Sequence, residues 1–109
     1  MEMNGIPFGT TDWSKVAPEE HRGETGVARW RTREFGAIRV SLAEYLPGYR
    51  ADGWCSKGHI LLVLEGELHT ELKDGRKVVL TAGMSYQVAD GAVPHRSSTR
   101  TGARLFIVD

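Results

Sequence analysis

One cysteine and two of the four histidines in this sequence are placed where they could act together. Cys55 and His59 lie four positions apart, so one extended strand would carry both on the same face. His95 follows Pro94 much later in the chain. A thiolate and two imidazoles that converge in a β-sheet cavity can bind zinc, iron, nickel or copper. Three protein ligands would leave a coordination position open for water or substrate, as at catalytic metal sites.

The same three residues permit other roles. A buried cysteine can pack as a small hydrophobic residue, and hydrogen bonds can hold histidines in a core. Cys55 could instead be a nucleophile with His59 as its base, since a neighbouring imidazolium favours the thiolate. Cys55 could also be a redox-sensing thiol, although the chain has no second cysteine to resolve it.

Four further side chains are candidates for lining a cavity around such a site. Tyr45, Tyr86 and Gln87 carry hydroxyl or amide groups that could hydrogen-bond a small polar substrate. Trp54 could stack against a ligand. Half-buried strand positions, or packing in the core or at a dimer interface, would explain the same residue types.

Length and charge restrict the class of protein. The chain has 109 residues, of which 40% are hydrophobic, and this is enough for one domain with its own core. Fourteen basic and fourteen acidic residues give no net charge, which argues against binding to nucleic acid or to an anionic membrane. A single cysteine excludes an intrachain disulfide framework, and no signal peptide or membrane-spanning apolar run is found. We therefore expect a soluble, cytoplasmic, single-domain protein.

Short alternating runs separated by glycines predict an all-β sandwich or barrel. The predicted strands are residues 27–35, 38–45, 59–64, 67–72, 77–80, 85–89 and 104–108. Asp74-Gly75 is a strong signal for a hairpin between two of them. Residues 59–64 are apolar at almost every position, which suits a strand that is covered on both faces, by a second sheet or by a partner subunit.

The first 26 residues differ from the rest of the chain. They are rich in loop-forming residues, yet they contain Ile6, Phe8 and Trp13. Residues 12–21 are expected to form at most one helical turn, because Pro18 interrupts them. We expect residues 1–26 to be an N-terminal arm that packs on its own barrel or on that of a neighbour, and residues 27–109 to be the barrel.

Two segments around the candidate ligands resemble the conserved motifs of the cupins. Residues 53–67, GWCSKGHILLVLEGE, look like the first cupin motif, and residues 83–95, GMSYQVADGAVPH, look like the second. The Asp74-Gly75 turn fits the hairpin between them, and the similarity extends over residues 38–108. It implies the double-stranded β-helix of the cupins, a β-barrel or jelly roll, and a homodimer.

The resemblance also implies a ligand set, position by position. Cupins usually carry two histidines one residue apart and then a glutamate in the first motif, with a third histidine in the second motif. In this chain Gly53 and Cys55 stand at the two histidine positions, His59 stands at the glutamate position, and His95 stands at the last one. Three of the four positions thus keep a ligand, and the softer donors favour zinc, nickel, copper or iron over magnesium or manganese. Gly53 supplies no ligand atom.

Within the cupins, the chain is most similar to a group of small, mostly uncharacterised bacterial proteins called the DHCW-motif cupins. Their first motif carries Asp-His-Trp-Cys, where this chain has Asp-Gly-Trp-Cys at residues 52–55. The expected function is binding of a divalent transition metal in the barrel cavity, with metal-assisted action on, or binding of, a small molecule. The alternative is a non-enzymatic module that binds a small ligand without metal, with Gly53 as the sign of lost ligation.

Overall fold

The regular structure of the chain is almost entirely β-strand in the computed structural model, which describes residues 3–109. A single 3-10 turn, Trp13–Lys15, precedes the strands. The strands are β1 (Glu19–Arg22), β2 (Val27–Phe35), β3 (Ile38–Tyr45), β4 (His59–Leu72), β5 (Lys77–Thr81), β6 (Ser85–Val88), β7 (His95–Ser98) and β8 (Ala103–Val108). The prediction of an all-β fold is confirmed.

The strands pair antiparallel around the long strand β4. Neighbours follow the order β1-β2-β3-β8-β4-β5, and β6 and β7 pair with β4 as well. The first half of β4 lies between β6 and β8, and its second half lies between β5 and β7. β4 therefore carries residues from the candidate site at one end to the Asp74-Gly75 hairpin at the other, where β5 begins as the sequence predicts.

The sequence-based prediction of two separate strands at 59–64 and 67–72 is wrong, because both segments belong to β4. The pairing of β4 with β8 shifts register between Val63 and Glu65, as at a β-bulge, close to the gap between the two predicted strands. Gly66 follows with a φ of 84°, and a Cβ there would collide with the carbonyl oxygen of Gly102. Glycine at this position thus lets the strand bend and continue.

The strand β7 was not predicted, because its sequence is polar. His95 and Ser97 are nevertheless its buried positions, and they alternate with partly exposed neighbours. The Ser97 hydroxyl is 2.8 Å from the hydroxyl of Thr70, its register partner on β4. Hydrogen bonding of buried polar groups thus replaces the apolar alternation by which strands are usually recognised.

The segment predicted to be an arm contains both the 3-10 turn and β1. Asp12 caps the turn by accepting a hydrogen bond from the Ser14 amide at 3.0 Å, and the expectation of at most one helical turn is confirmed. β1 pairs with β2 over the register Glu19↔Trp30 to Arg22↔Val27. The first two residues of the predicted arm lie outside the described residues.

The core lies on the inward face of the strands. Its fully buried large side chains are Leu61, Val63, Leu68 and Leu105. On β4 these alternate with outward residues, and Ile60 and Leu64 keep 50% and 39% of their surface exposed. A single chain thus covers only one face of the apolar 59–64 segment. No helix in residues 3–109 has the length and the apolar character needed to cross a membrane.

Candidate metal centre

The three candidate ligands come together at one end of the barrel. One ligand atom from each of Cys55, His59 and His95 lies within 4.8 Å of the other two. His59 is the first residue of β4 and His95 the first of β7, whereas Cys55 lies in the loop before β4. The predicted grouping is therefore observed, but Cys55 and His59 are not carried by one extended strand.

Cys55 is held beside His95 by the backbone. The Cys55 amide donates to the His95 carbonyl at 2.7 Å, and the His95 amide donates to the Cys55 carbonyl at 3.0 Å. This isolated antiparallel bridge fixes the loop against β7. Cys55 is an exposed residue and His95 a buried one, so the cluster extends from the surface into the barrel.

His95 offers a free nitrogen to the cluster. Its side chain is buried, and Nδ1 lies 3.2 Å from the carbonyl oxygen of Val93. Because a carbonyl can only accept, Nδ1 carries the ring proton and Nε2 keeps a lone pair in the neutral ring. Nε2 is buried and has no hydrogen-bond partner within residues 3–109. Such a buried, unpaired acceptor is costly unless something binds to it.

His59 is partly buried and is held by Tyr86. Its Nε2 lies 2.8 Å from the Tyr86 hydroxyl, and its ring meets that of His95 edge-on with centroids 4.9 Å apart. Burial lowers the pKa of His59, and the nearby His95 lowers it further, while Asp109 opposes the change. The neutral imidazole, which is the form that binds metal ions, is therefore favoured at neutral pH.

Gly58 is a functional position that the sequence analysis missed. Its amide donates to Asp90 Oδ1 at 2.7 Å, and a Cβ at this position would lie 2.5 Å from the Asp90 backbone nitrogen. The absence of a side chain lets the start of β4 approach the end of β6, which brings His59 against Tyr86. The only signal in the sequence is a glycine directly before a candidate ligand.

Gly53, two residues before Cys55, has open space around its Cα hydrogen atoms. No atom lies within 4 Å of a Cβ built at this position, and the backbone does not have a positive φ. A Cβ atom at position 53 would therefore meet no neighbouring atom.

The four predicted cavity-lining residues are dispersed. Tyr86 contacts His59, and burial raises its pKa to about 12, so the phenol keeps its proton. Tyr45 is buried in the core against Tyr49, with ring centroids 4.5 Å apart. Trp54 lies at the surface, where the Arg96 guanidinium sits 4.3 Å from its ring centroid.

Gln87, the fourth, lies in an open groove of about 750 Å³ whose lining includes His59. Arg39 and Asp109 form a bidentate ion pair in this groove, with N–O distances of 3.1 and 3.2 Å. The hydrogen bond to Asp109 raises the pKa of Arg39. Lys57 adds a second, longer contact of 3.9 Å to the same carboxylate. A small molecule could thus approach His59 through a groove that combines apolar and charged surface.

Comparisons with known proteins identify the architecture. No protein-family model and no curated protein sequence matches the chain. Among solved structures, a predicted oxalate decarboxylase from Thermotoga maritima matches with a TM-score of 0.79 and 18% identity, over 92% of this chain and 96% of that one. An RmlC-like cupin from Shewanella frigidimarina matches with a TM-score of 0.74 and 22% identity, over 96% and 88% of the two chains.

A third solved structure was determined with iron. Fe(II)-HppE with the alternative substrate (S)-1-HPP matches with a TM-score of 0.74 and 17% identity, over 97% of this chain and 60% of that one. These similarities confirm the fold implied by the two sequence motifs. The chain is a small cupin-fold protein in which Cys55, His59 and His95 form a group that could hold a transition-metal ion.

Proposed function

We propose that Cys55, His59 and His95 bind one divalent transition-metal ion, and that the site binds or acts on a small molecule. The observation that carries this proposal is the buried Nε2 of His95, which lacks a partner in the described chain and belongs to a cluster of three ligand atoms within 4.8 Å. A metal ion would satisfy that nitrogen and would use the thiolate and the second imidazole at the same time.

The donor set and the surroundings suggest the chemistry. One thiolate and two imidazoles suit zinc, iron, nickel or copper, and the neighbour Fe(II)-HppE supports iron as one candidate. A metal with an open position can polarise a carbonyl group or activate water, and iron can also support dioxygen chemistry. The chain contributes the free thiol of Cys55, space at Gly53 and a groove that reaches His59.

The proposal can be tested by titrating chelator-treated protein with Co²⁺. We expect saturation at about one equivalent per chain and a near-ultraviolet absorption from thiolate-to-cobalt charge transfer, which is lost in Cys55→Ser. Absence of any binding to Co²⁺ or Zn²⁺ would overturn the proposal. Binding that leaves the charge-transfer band unchanged in Cys55→Ser would remove Cys55 from the ligand set.

Gly53 favours a second candidate function, a metal-free module that binds a small organic ligand. The missing ligand at position 53 is compatible with a site that no longer holds metal, and the groove offers about 750 Å³. Thermal-shift screening of small polar compounds on chelator-treated protein tests this function. Stabilisation that is the same with and without added metal would support it.

Introducing a histidine at position 53 should strengthen metal binding. A Cβ at position 53 meets no other atom within 4 Å, and Gly53→His would restore the missing position of the four-residue cupin ligand set. We expect at least a tenfold decrease in the dissociation constant for Zn²⁺, which corresponds to about 1.4 kcal/mol. Gly53→Ala is the matched control and should leave the constant unchanged. Equal affinities for the two variants would mean that position 53 does not face the cluster.

We propose that the chain forms a homodimer in which the partner subunit covers the outward face of β4. The chain is then a single domain, with residues 1–26 as an N-terminal arm and residues 27–109 as the barrel. Ile60, Leu64 and Met84 are 50%, 39% and 47% exposed, and Phe8 in the arm is 96% exposed. Apolar surface of this kind usually marks an interface. Ile60→Glu should convert a species of about twice 12.1 kDa into a monomer in sedimentation experiments, whereas Lys77→Glu should not. A monomeric parent chain would contradict this proposal.

Two further assignments belong to the same proposal. Membership of the DHCW-motif cupins is supported by Asp52, Trp54 and Cys55, which match the Asp-His-Trp-Cys motif except at Gly53. A cytoplasmic location is supported by the single cysteine, since a thiol used as a ligand is kept reduced in that compartment.

A further inference from the structure

An arginine in the groove beside His59 is held in place by a nearly buried carboxylate. Arg39 Nε and Nη2 donate to the two carboxylate oxygens of Asp109 at 3.1 and 3.2 Å, and the Asp109 side chain is only 10% exposed. The backbones are paired as well, because the Arg39 amide donates to the Asp109 carbonyl at 2.6 Å and the Asp109 amide donates to the Arg39 carbonyl at 2.8 Å. The guanidinium is therefore oriented from the paired ends of β3 and β8.

This ion pair uses one edge of the guanidinium and leaves the other edge free. Nε and one N–H of Nη2 donate to Asp109, whereas Nη1 has no hydrogen bond to any residue in 3–109. An arginine has five N–H donors, so Nη1 and the second N–H of Nη2 form another pair whose geometry matches a carboxylate. The Arg39 side chain is 43% exposed, and it lines the same groove as His59.

We propose that the free edge of Arg39 binds the carboxylate group of a small molecule in this groove, and that Asp109 is the positioning residue that orients the guanidinium. The location of this ligand beside a metal ion rests on the proposed function, whereas the carboxylate contact itself needs no metal. Because the guanidinium is already held in one direction, it loses little conformational freedom when a ligand binds. Val88 and Ala89 also line the groove, so we expect a carboxylate that carries a short apolar group.

The other charged groups in the groove determine how strongly an anion is favoured. Lys57 Nζ is half exposed and lies 3.9 Å from Asp109, so two cations share one carboxylate at this point. Asp90 already accepts a hydrogen bond from a backbone amide. Glu34, the register partner of Arg39 on β2, is exposed and opposes an anionic ligand. We therefore expect Glu34→Gln to bind a carboxylate more tightly than the parent chain does, and Lys57→Gln to bind it more weakly.

The probes for this site are benzoate and benzamide, which have nearly the same shape but differ in charge. The full-length, metal-free parent chain should bind benzoate at least about tenfold more tightly than benzamide, roughly the ratio that one charge-assisted hydrogen bond supplies. Calorimetry at fixed ionic strength measures both constants, and ¹H–¹⁵N spectra should show the Arg39 side-chain resonance shifting with benzoate. Equal affinities for the two probes would overturn the proposal. Tighter binding of inorganic phosphate than of benzoate would overturn the assignment of a carboxylate.

Two arginine variants show whether the preference for benzoate comes from Arg39. Arg39→Lys keeps a cation beside Asp109 but loses the planar edge, so the preference should fall below about threefold. Arg33→Gln is the control, because Arg33 is an exposed arginine on β2 that lies over Phe35 and does not line the groove. It should keep the preference of the parent chain. An unchanged preference in Arg39→Lys would overturn the role of Arg39.

A parallel titration with Zn²⁺ separates this inference from the proposed function. A chain that binds Zn²⁺ but shows no preference for benzoate would overturn the carboxylate site and leave the metal centre intact. A preference for benzoate that is lost in Arg39→Lys, in a chain that binds no Zn²⁺, would support the carboxylate site and overturn the metal centre.

Discussion

His95→Ala and His59→Ala should each abolish stoichiometric metal binding at micromolar protein. Loss of a group that merely orients a ligand weakens binding by about 10–100-fold, so loss of a ligand itself should exceed about 100-fold. The effect should be strongest for His95, because its Nε2 is the buried atom that lacks a partner in the described structure. Isothermal titration with Zn²⁺, after removal of bound metal with a chelator, measures both constants.

Two other histidines in the chain serve as matched controls. His69 is partly exposed and pairs with Glu67, and His21 is exposed beside Glu19. His69→Ala and His21→Ala should bind Zn²⁺ as the parent chain does. Retention of metal by both His59→Ala and His95→Ala, with folded spectra, would remove the two imidazoles from the proposed site.

Gly66→Ala should be among the most destabilising single substitutions in the chain. The residue has a φ of 84°, which costs an L-residue about 1–2 kcal/mol. In addition, the new Cβ would overlap the Gly102 carbonyl oxygen, so β4 and β8 would have to separate where they pair. We expect a loss of about 3 kcal/mol or more in the free energy of unfolding, measured by urea denaturation.

Gly75→Ala separates the two contributions to that loss. Gly75 also has a positive φ, of 100°, but a Cβ there has no atom within 4 Å. Its substitution should cost only the backbone strain of about 1–2 kcal/mol. If both variants lose the same stability, the close approach of β4 to β8 at Gly66 does not contribute, and the account of the bulge is wrong.

Much of the fold could be predicted because its local signals agree with its tertiary structure. Strands β2 and β3 have the predicted bounds, β3 alternates over most of its length between buried and partly buried positions, and the Asp74-Gly75 turn joins β4 to β5 as expected. The strand predictions fail where the polar and apolar pattern of the sequence does not reflect the backbone pairing of the strands. Glu65 and Gly66 lay between two predicted strands, whereas pairing with β8 continues through them after a register shift.

The candidate cluster was predicted from residue types and from the cupin motifs, but its supports were not. His95 and Ser97 on β7 face the interior although their sequence is polar, and only the pairing with β4 reveals this. Gly58 could not be selected from spacing, since its importance depends on the close approach of residues 88–90. Trp54 is partly exposed with the guanidinium of Arg96 over its ring, a contact that the sequence did not indicate.

The most direct test of a metal centre at Cys55, His59 and His95 is elemental analysis by mass spectrometry on tag-free protein purified without chelators. We predict about one equivalent of a single transition metal per chain, lost in His95→Ala and kept in His69→Ala. Protein that contains no metal, and that takes up none on titration with Zn²⁺, Fe²⁺, Ni²⁺ or Cu²⁺, would contradict the proposal. The groove beside His59 would then be better explained as a metal-free ligand site.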